Sequence, residues 1–221
     1  VTMIRLAIFD CDGTLVDSQH NICAAVEESF ASNGLIAPPR NTIRRIVGLS
    51  LVEAMRMLLP DAEEALHQQV AQDYKDAFFR MRSAGAMAEE PLYDGIADLL
   101  AALAAQGWLL GVATGKSDRG LAHILAHHGI AGHFLTLQTA DRHPSKPHPS
   151  MIETAMRDAG AVAEHTAMIG DTSFDMAMAR AGGVRAIGVG WGYHPPEELI
   201  EAGAHVVVDD VAALAVALER P

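Results

Sequence analysis

Apolar residues run almost unbroken from Met3 to Phe9, with Arg5 the one interruption, and the run stops abruptly at Asp10-Cys11-Asp12-Gly13. Such a run reads as a buried strand. After Ser18 the period changes. Ile22, Val26, Glu27 and Phe30 step at helical spacing, and Asn33-Gly34 is a stop signal. Pro38-Pro39 opens a connection, a helix is expected from Asn41 to Val47, and Gly48 breaks it. Ser50 with Glu53 predicts a capping box for a helix ending near Pro60, and Asp61 is expected to cap a long helix reaching about Arg82. The stretch from Ser83 to Pro91 has weak periodicity and reads as a linker.

From there strand and helix alternate. Helical periods cover Asp94 to Gln106, Arg119 to His128, Ser150 to Ala159 and Asp175 to Ala181. Apolar runs mark strands at Trp108–Ala113, Phe134–Gln138, Thr166–Ile169, Val184–Val189 and His205–Val208. Repeated alternation predicts an α/β fold with a doubly wound parallel sheet of about six strands. The block from 18 to 83 shows no strand signal, so it is read as an all-helical cap inserted into a core formed by 1–17 and 84–221.

Composition narrows the function. With 221 residues the chain is long enough for one good core and a small insert. A net charge of −12 with no basic stripe argues against a nucleic-acid partner. No apolar stretch is long enough for a membrane span, and no export leader is evident. Two cysteines, Cys11 and Cys23, are too few for a disulfide framework, so a cytoplasmic setting is expected. An anionic substrate would have to be met locally by a metal, a lysine or backbone amides.

Those groups stand at the ends of the expected strands. The first strand ends in Asp10 and Asp12, the second in Thr114-Gly115, and a later one in Gly170-Asp171, with Asp175 a turn beyond. Lys146 lies in the polar loop from Asp141 to Pro149. In a parallel sheet these ends share one edge, so the residues can converge. A hydroxyl, an ammonium and several carboxylates are the inventory for a phosphoryl group beside a hard divalent cation. Asp10, Asp171 and the backbone carbonyl of Asp12 could hold Mg²⁺. Asp10 is the candidate nucleophile and Asp12 the candidate general acid and base. Thr114 and Lys146 would bind phosphoryl oxygens, with backbone amides near Gly13 and Gly115 as further donors. Taken singly, each has a plainer reading: Lys146 as a solvated loop lysine, Thr114 or Ser117 as a helix cap, Asp171 as a cap, Asp175 as a first-turn acid.

The run Asp-Cys-Asp-Gly-Thr-Leu-Val-Asp-Ser from Asp10 to Ser18 resembles the first motif of the haloacid dehalogenase-like hydrolases. Thr114, Lys146 and the pair Asp171 and Asp175 fall in order on the family's other three motifs. The resemblance implies an aspartyl-phosphate on Asp10, acid–base work by Asp12, metal ligation by Asp171, and supporting positions for Asp175 and Thr172. Asp12 speaks against the dehalogenases, and Lys75, late in its helix, against the phosphonoacetaldehyde hydrolases. Ile22 stands where β-phosphoglucomutases have a cap histidine, which weakens that alternative. A non-enzymatic phosphoacceptor is a further alternative, disfavoured by the cap and by Asp12. The overall run is most similar to the phosphoglycolate phosphatase group, so a phosphatase acting on a small phosphorylated metabolite is expected. Arg44, Arg45 and Ser50 are candidate substrate contacts, Arg45 foremost. The histidines His127, His128 and His133 read as solvated loop residues, and His143 and His148 flank Lys146 without a clear role. The oligomeric state is not legible.

Overall fold

A computed structural model of the chain describes residues 3–219. The outermost residues of the expected core, 1, 2, 220 and 221, lie outside that range. The strands are β1 (Arg5–Phe9), β2 (Trp108–Thr114), β3 (Phe134–Thr139), β4 (Thr166–Gly170), β5 (Arg185–Val189) and β6 (Val206–Val208). They form one parallel sheet in the order β3-β2-β1-β4-β5-β6. β1 is shorter than its apolar run. Its pairing with β2 starts at Arg5 opposite Trp108, and Met3 and Ile4 stay exposed.

The helices in chain order are α1 (Gln19–Ser32), α2 (Arg40–Arg44), α3 (Leu51–Leu58), α4 (Glu64–Ser83), α5 (Ile96–Ala105), α6 (Asp118–His127), α7 (Ser150–Ala159), α8 (Ser173–Ala181), α9 (Pro196–Glu201) and α10 (Val211–Glu219). Along β1, Ala7 and Phe9 join an apolar cluster with α5, α6 and α10, whereas Leu6 and Ile8 join one with α7, α8 and α9. The period-two alternation of the strand thus sends successive side chains into two cores, and the sheet is covered on both faces. None of the described helices is long and apolar enough to cross a membrane.

Helices α1 to α4 follow β1 and build a third cluster of their own from Ile22, Val26, Phe30, Ile43, Met55 and Val70. The four-residue steps of Ile22, Val26 and Phe30 lay one stripe of α1 against α4. Two expected caps are corrected here. Ser50 precedes α3, but its side chain caps nothing: its N–H donates to Ser145 Oγ at 2.8 Å, and Glu53 pairs with Arg56. α4 begins at Glu64 behind Glu63 rather than behind Asp61. Helices α9 and α10 were not expected from periodicity.

The chain passes from β1 outward to β2 and β3, then returns to β4 on the other side of β1. Connections therefore diverge between β1 and β4, which opens a crevice at their carboxyl ends.

Candidate active site

Asp10 and Asp171 stand directly beyond β1 and β4, at that crevice, and both are fully buried. The N–H of Asp10 donates to Ile169 O at 2.9 Å, which ties the two strand ends together. Asp10 Oδ1 accepts from the Cys11 N–H (2.7 Å) and faces Lys146 Nζ (3.0 Å), while Asp10 Oδ2 has no hydrogen-bond partner among the described residues. Lys146 is also buried and reaches Asp175 Oδ1 at 2.6 Å. Asp175 Oδ2 accepts from the Thr172 N–H (3.1 Å) and hydroxyl (2.7 Å), which makes Thr172 and Asp175 a capping box at the start of α8. Asp171 accepts from Thr14 Oγ1 (2.9 Å) and from the Tyr193 N–H (2.9 Å).

The local charge is unbalanced. Asp10, Asp171 and Asp175 offer oxygens within 4.8 Å of one another, against the single buried ammonium of Lys146. Burial pushes the Asp10 carboxyl up to about 7, with Asp175 and Asp12 adding to it and Lys146 opposing. Burial likewise raises Asp171 well above the usual carboxylate range, helped by Asp175 and Asp10. Burial would lower the Lys146 ammonium, but Asp10 and Asp175 outweigh it and hold it above its ordinary value. An unpartnered carboxylate oxygen amid excess negative charge and hard oxygen donors fits a divalent cation. Among the described residues, these three aspartates are the group close enough to share one.

Asp12 faces a different way. Its Oδ1 accepts from the Ser18 hydroxyl and lies 2.8 Å from Lys116 Nζ. Both Asp12 and Lys116 line a cavity of about 460 Å³ between the rim of the sheet and the helical block. Its wall is largely apolar, with Ile22, Val26, Met55, Tyr74 and Phe78. The block closes on the rim through the Gly48-Leu49 turn. A Cβ on Gly115 would stand 2.4 Å from Leu49 O, so only glycine permits that approach. Gly48 itself has φ +99°, and a Cβ there would lie 3.8 Å from Asp10 Oδ2.

Thr114 is buried at the end of β2, where its Oγ1 accepts from the Lys116 N–H at 3.2 Å, and the cap of α6 is Ser117. The rim thus gathers Asp10, Asp12, Lys146, Asp171, Asp175 and Thr172, with Thr114 and Gly115 at the end of β2. Arg45 is placed elsewhere: both terminal nitrogens engage Glu198 on α9, at 2.7 and 2.5 Å, and its side chain does not line the cavity. Arg44 reaches Gln19, and Ser50 lines the cavity. His143 bridges Ser150 and Gln138, and His128 meets Glu90 O. Three contacts were missed in the sequence. Lys116 partners Asp12, Ser18 bonds Asp12, and Gly13 and Gly192 let backbone approach Asp171. Lys116, two residues past a strand-terminal threonine, was the readable signal among them.

Over residues 7–189 the sequence matches the haloacid dehalogenase-like hydrolase family. It is 37% identical over 213 residues to "Probable phosphatase IndB" of Dickeya dadantii (strain 3937), covering 94% of this chain and 90% of that protein. It is 28% identical over 220 residues to a phosphoglycolate phosphatase of Pseudomonas putida, covering 96% and 79%. The crystal structure of a predicted phosphatase from Clostridium acetobutylicum superposes with a TM-score of 0.87 at 27% identity, covering 98% of this chain and 99% of that one.

Proposed function

Because the chain belongs to the haloacid dehalogenase-like hydrolase family and is a phosphatase, we propose that it hydrolyses a small phosphorylated metabolite with Mg²⁺ through an aspartyl-phosphate on Asp10. The observation that carries this reading is the buried Asp10 carboxylate at the crevice, gripped by Lys146, with Asp12 turned toward the cavity. The Asp10 carboxylate attacks phosphorus, and the bond from phosphorus to the leaving oxygen breaks as Asp12 gives that oxygen a proton. Asp12 then takes a proton from water as the water attacks phosphorus, and Asp10 leaves as the carboxylate while inorganic phosphate forms. Lys146 and Thr114 hold phosphoryl oxygens as charge spreads over them, with the amide of Gly115 as a further donor. Asp10, Asp171 and the carbonyl of Asp12 would hold the cation, with Asp175 and Thr172 fixing Lys146 and the start of α8 around it. The cation supplies screening between the carboxylates and the incoming phosphate.

We read 18–83 as a cap that excludes water and selects the leaving group. A phosphoglycolate-like ester is a first candidate, since several relatives are named for that activity. A cytoplasmic setting suits the free, buried Cys11 and Cys23. Hydrolysis of an aryl phosphate, measured with Mg²⁺, with EDTA and in Asp10→Asn, tests the reading. Activity is expected to require the cation and to fall on the order of 10⁴-fold or more in Asp10→Asn, as for loss of a nucleophile. Full activity in that variant, or indifference to EDTA, overturns it.

A further inference from the structure

Among the described residues six arginines have a carboxylate partner, and Arg44, Arg157, Arg180 and Arg185 bond an amide, a hydroxyl, an imidazole and a carbonyl. Arg5 meets Glu219, Arg40 meets Glu27, Arg56 meets Glu53 and Glu64, and Arg80 meets Glu28. Arg82, at the end of α4, and Arg119, at the start of α6, differ. Among the described residues neither guanidinium makes a hydrogen bond or an ion pair. Each instead lies over a ring, Arg82 Cζ at 5.8 Å from the centroid of Phe78 and Arg119 Cζ at 4.9 Å from that of Phe79. Arg82 Nε is buried and unpartnered. Both arginines line the cavity that Asp12 and Lys116 border.

A buried donor without an acceptor is costly, and a chain with 28 acidic residues has acceptors to spare. Glu90, whose charge reaches Arg82, is held by Asn21 Nδ2 at 3.0 Å and faces Lys116 as well. Two guanidinium groups that line one cavity, each lying over a ring, are donors suited to an anion. The wall that they share with Asp12 is largely apolar. The volume of about 460 Å³ lies within the roughly 300–1,000 Å³ of pockets that enclose drug-sized ligands. Glycolate would leave most of it unfilled, so an ester larger than phosphoglycolate fits this cavity better.

Resting on the phosphatase reading above, we propose that the substrate's leaving alcohol has an apolar or aromatic body and a terminal anionic group, carboxylate or second phosphate, bound by Arg82 and Arg119. Asp12 would protonate the ester oxygen at one end of this body while the arginines hold the other.

Three esters built on one ring test this: phenyl phosphate, 4-carboxyphenyl phosphate and hydroquinone bisphosphate. With Mg²⁺ at least one of the two anionic esters is expected to exceed phenyl phosphate in kcat/KM by about tenfold or more, chiefly through KM. Which of them wins tells carboxylate from phosphate. Arg82→Met and Arg119→Gln are each expected to shrink that ratio toward one. Arg119 is exposed, so its variant keeps the test open if Arg82→Met folds poorly. Arg157→Gln, at a side chain that bonds Thr154 outside the cavity, is expected to leave the ratio alone. Metal-dependent turnover of all three esters with no preference in the wild type, or a preference that survives both substitutions, overturns the inference and spares the phosphatase reading. No metal-dependent turnover of any ester overturns both.

Discussion

The rim of the sheet and the wall of the helical block handle charge in opposite ways. At the rim, Lys146 is fully enclosed between Asp10 and Asp175, and nearly every polar atom has a partner within the protein. On the block side the wall is largely apolar, and among the described residues Arg82 makes no hydrogen bond or ion pair and lies over the face of Phe78. Chemistry requires groups fixed to within a fraction of an ångström, which short strand ends locked by hydrogen bonds provide. Selection of a leaving group requires space and groups still free to bind. On the proposed function, the difference therefore separates a region that has to be rigid from one that has to be filled.

The comparison breaks hardest at Lys146. Lys146→Met leaves Asp10 and Asp175 facing each other in the interior without their cation. Measured by denaturant in EDTA near pH 8, the loss is expected to be about 3–5 kcal/mol, as when one partner is removed from a buried ion pair. It should shrink as pH falls, because Asp10, already pushed up to about 7 by burial, then takes up a proton and its charge disappears. Truncation of Phe79 on the block, which is half exposed, is expected to cost less than about 1 kcal/mol. Equal losses at the two places would mean that the rim is no more tightly determined than the wall.

A smaller effect is expected where the two regions touch. Gly115→Ala puts a methyl group 2.4 Å from Leu49 O, a clash with backbone that no rotamer change relieves. Overpacking of this kind costs about 1–3 kcal/mol. The cheapest relief is to lift the Gly48-Leu49 turn off Asp10, so kcat/KM should fall about tenfold or more while the sheet stays folded. A variant with wild-type kinetics and a lower melting temperature would show that the turn is packing alone.

The gathering of these side chains at one rim was largely legible in the sequence, for a physical reason. Asp10, Asp171 and Thr114 each follow an apolar run directly, and a parallel sheet puts all such ends on one edge. Lys146 was readable because a loop lysine beside that edge answers its negative charge. Helix starts were less legible. Ser50 and Asp61 have capping side chains, yet Ser50 turned its N–H to Ser145 and α4 began later, at Glu64. α10 was invisible because an unbroken Val-Ala-Ala-Leu run carries no period. Arg45 was misplaced because a basic residue near a cap loop looks the same whether it faces substrate or Glu198. Arg82 and Arg119 matter for the partners they lack, and no sequence pattern reports that.

The finest probe of the junction is His194. Its Nδ1 accepts from the Ser173 N–H at 3.1 Å, so Nε2 must carry the proton and donate to Arg45 O at 3.1 Å. A neutral imidazole on the core loop thus ties down the block. Burial lowers its pKa below the ordinary 6.5, with the bond to Arg45 O and the nearby Glu198 opposing and Arg45 assisting. A group whose folded pKa is depressed contributes stability that is present above its unfolded value and lost as pH falls through the folded one. Asp10 has the opposite sign: its raised pKa contributes stability that is lost as pH rises toward about 7. The whole-protein melting profile therefore mixes two opposing slopes, and only a difference isolates the histidine. The melting temperature of the wild type minus that of His194→Gln is expected to fall as pH drops below 6.5, and to level off above it. A flat difference across that window would mean that the imidazole does not hold the block in its neutral form, and that Arg45 and Glu198 close the junction without it.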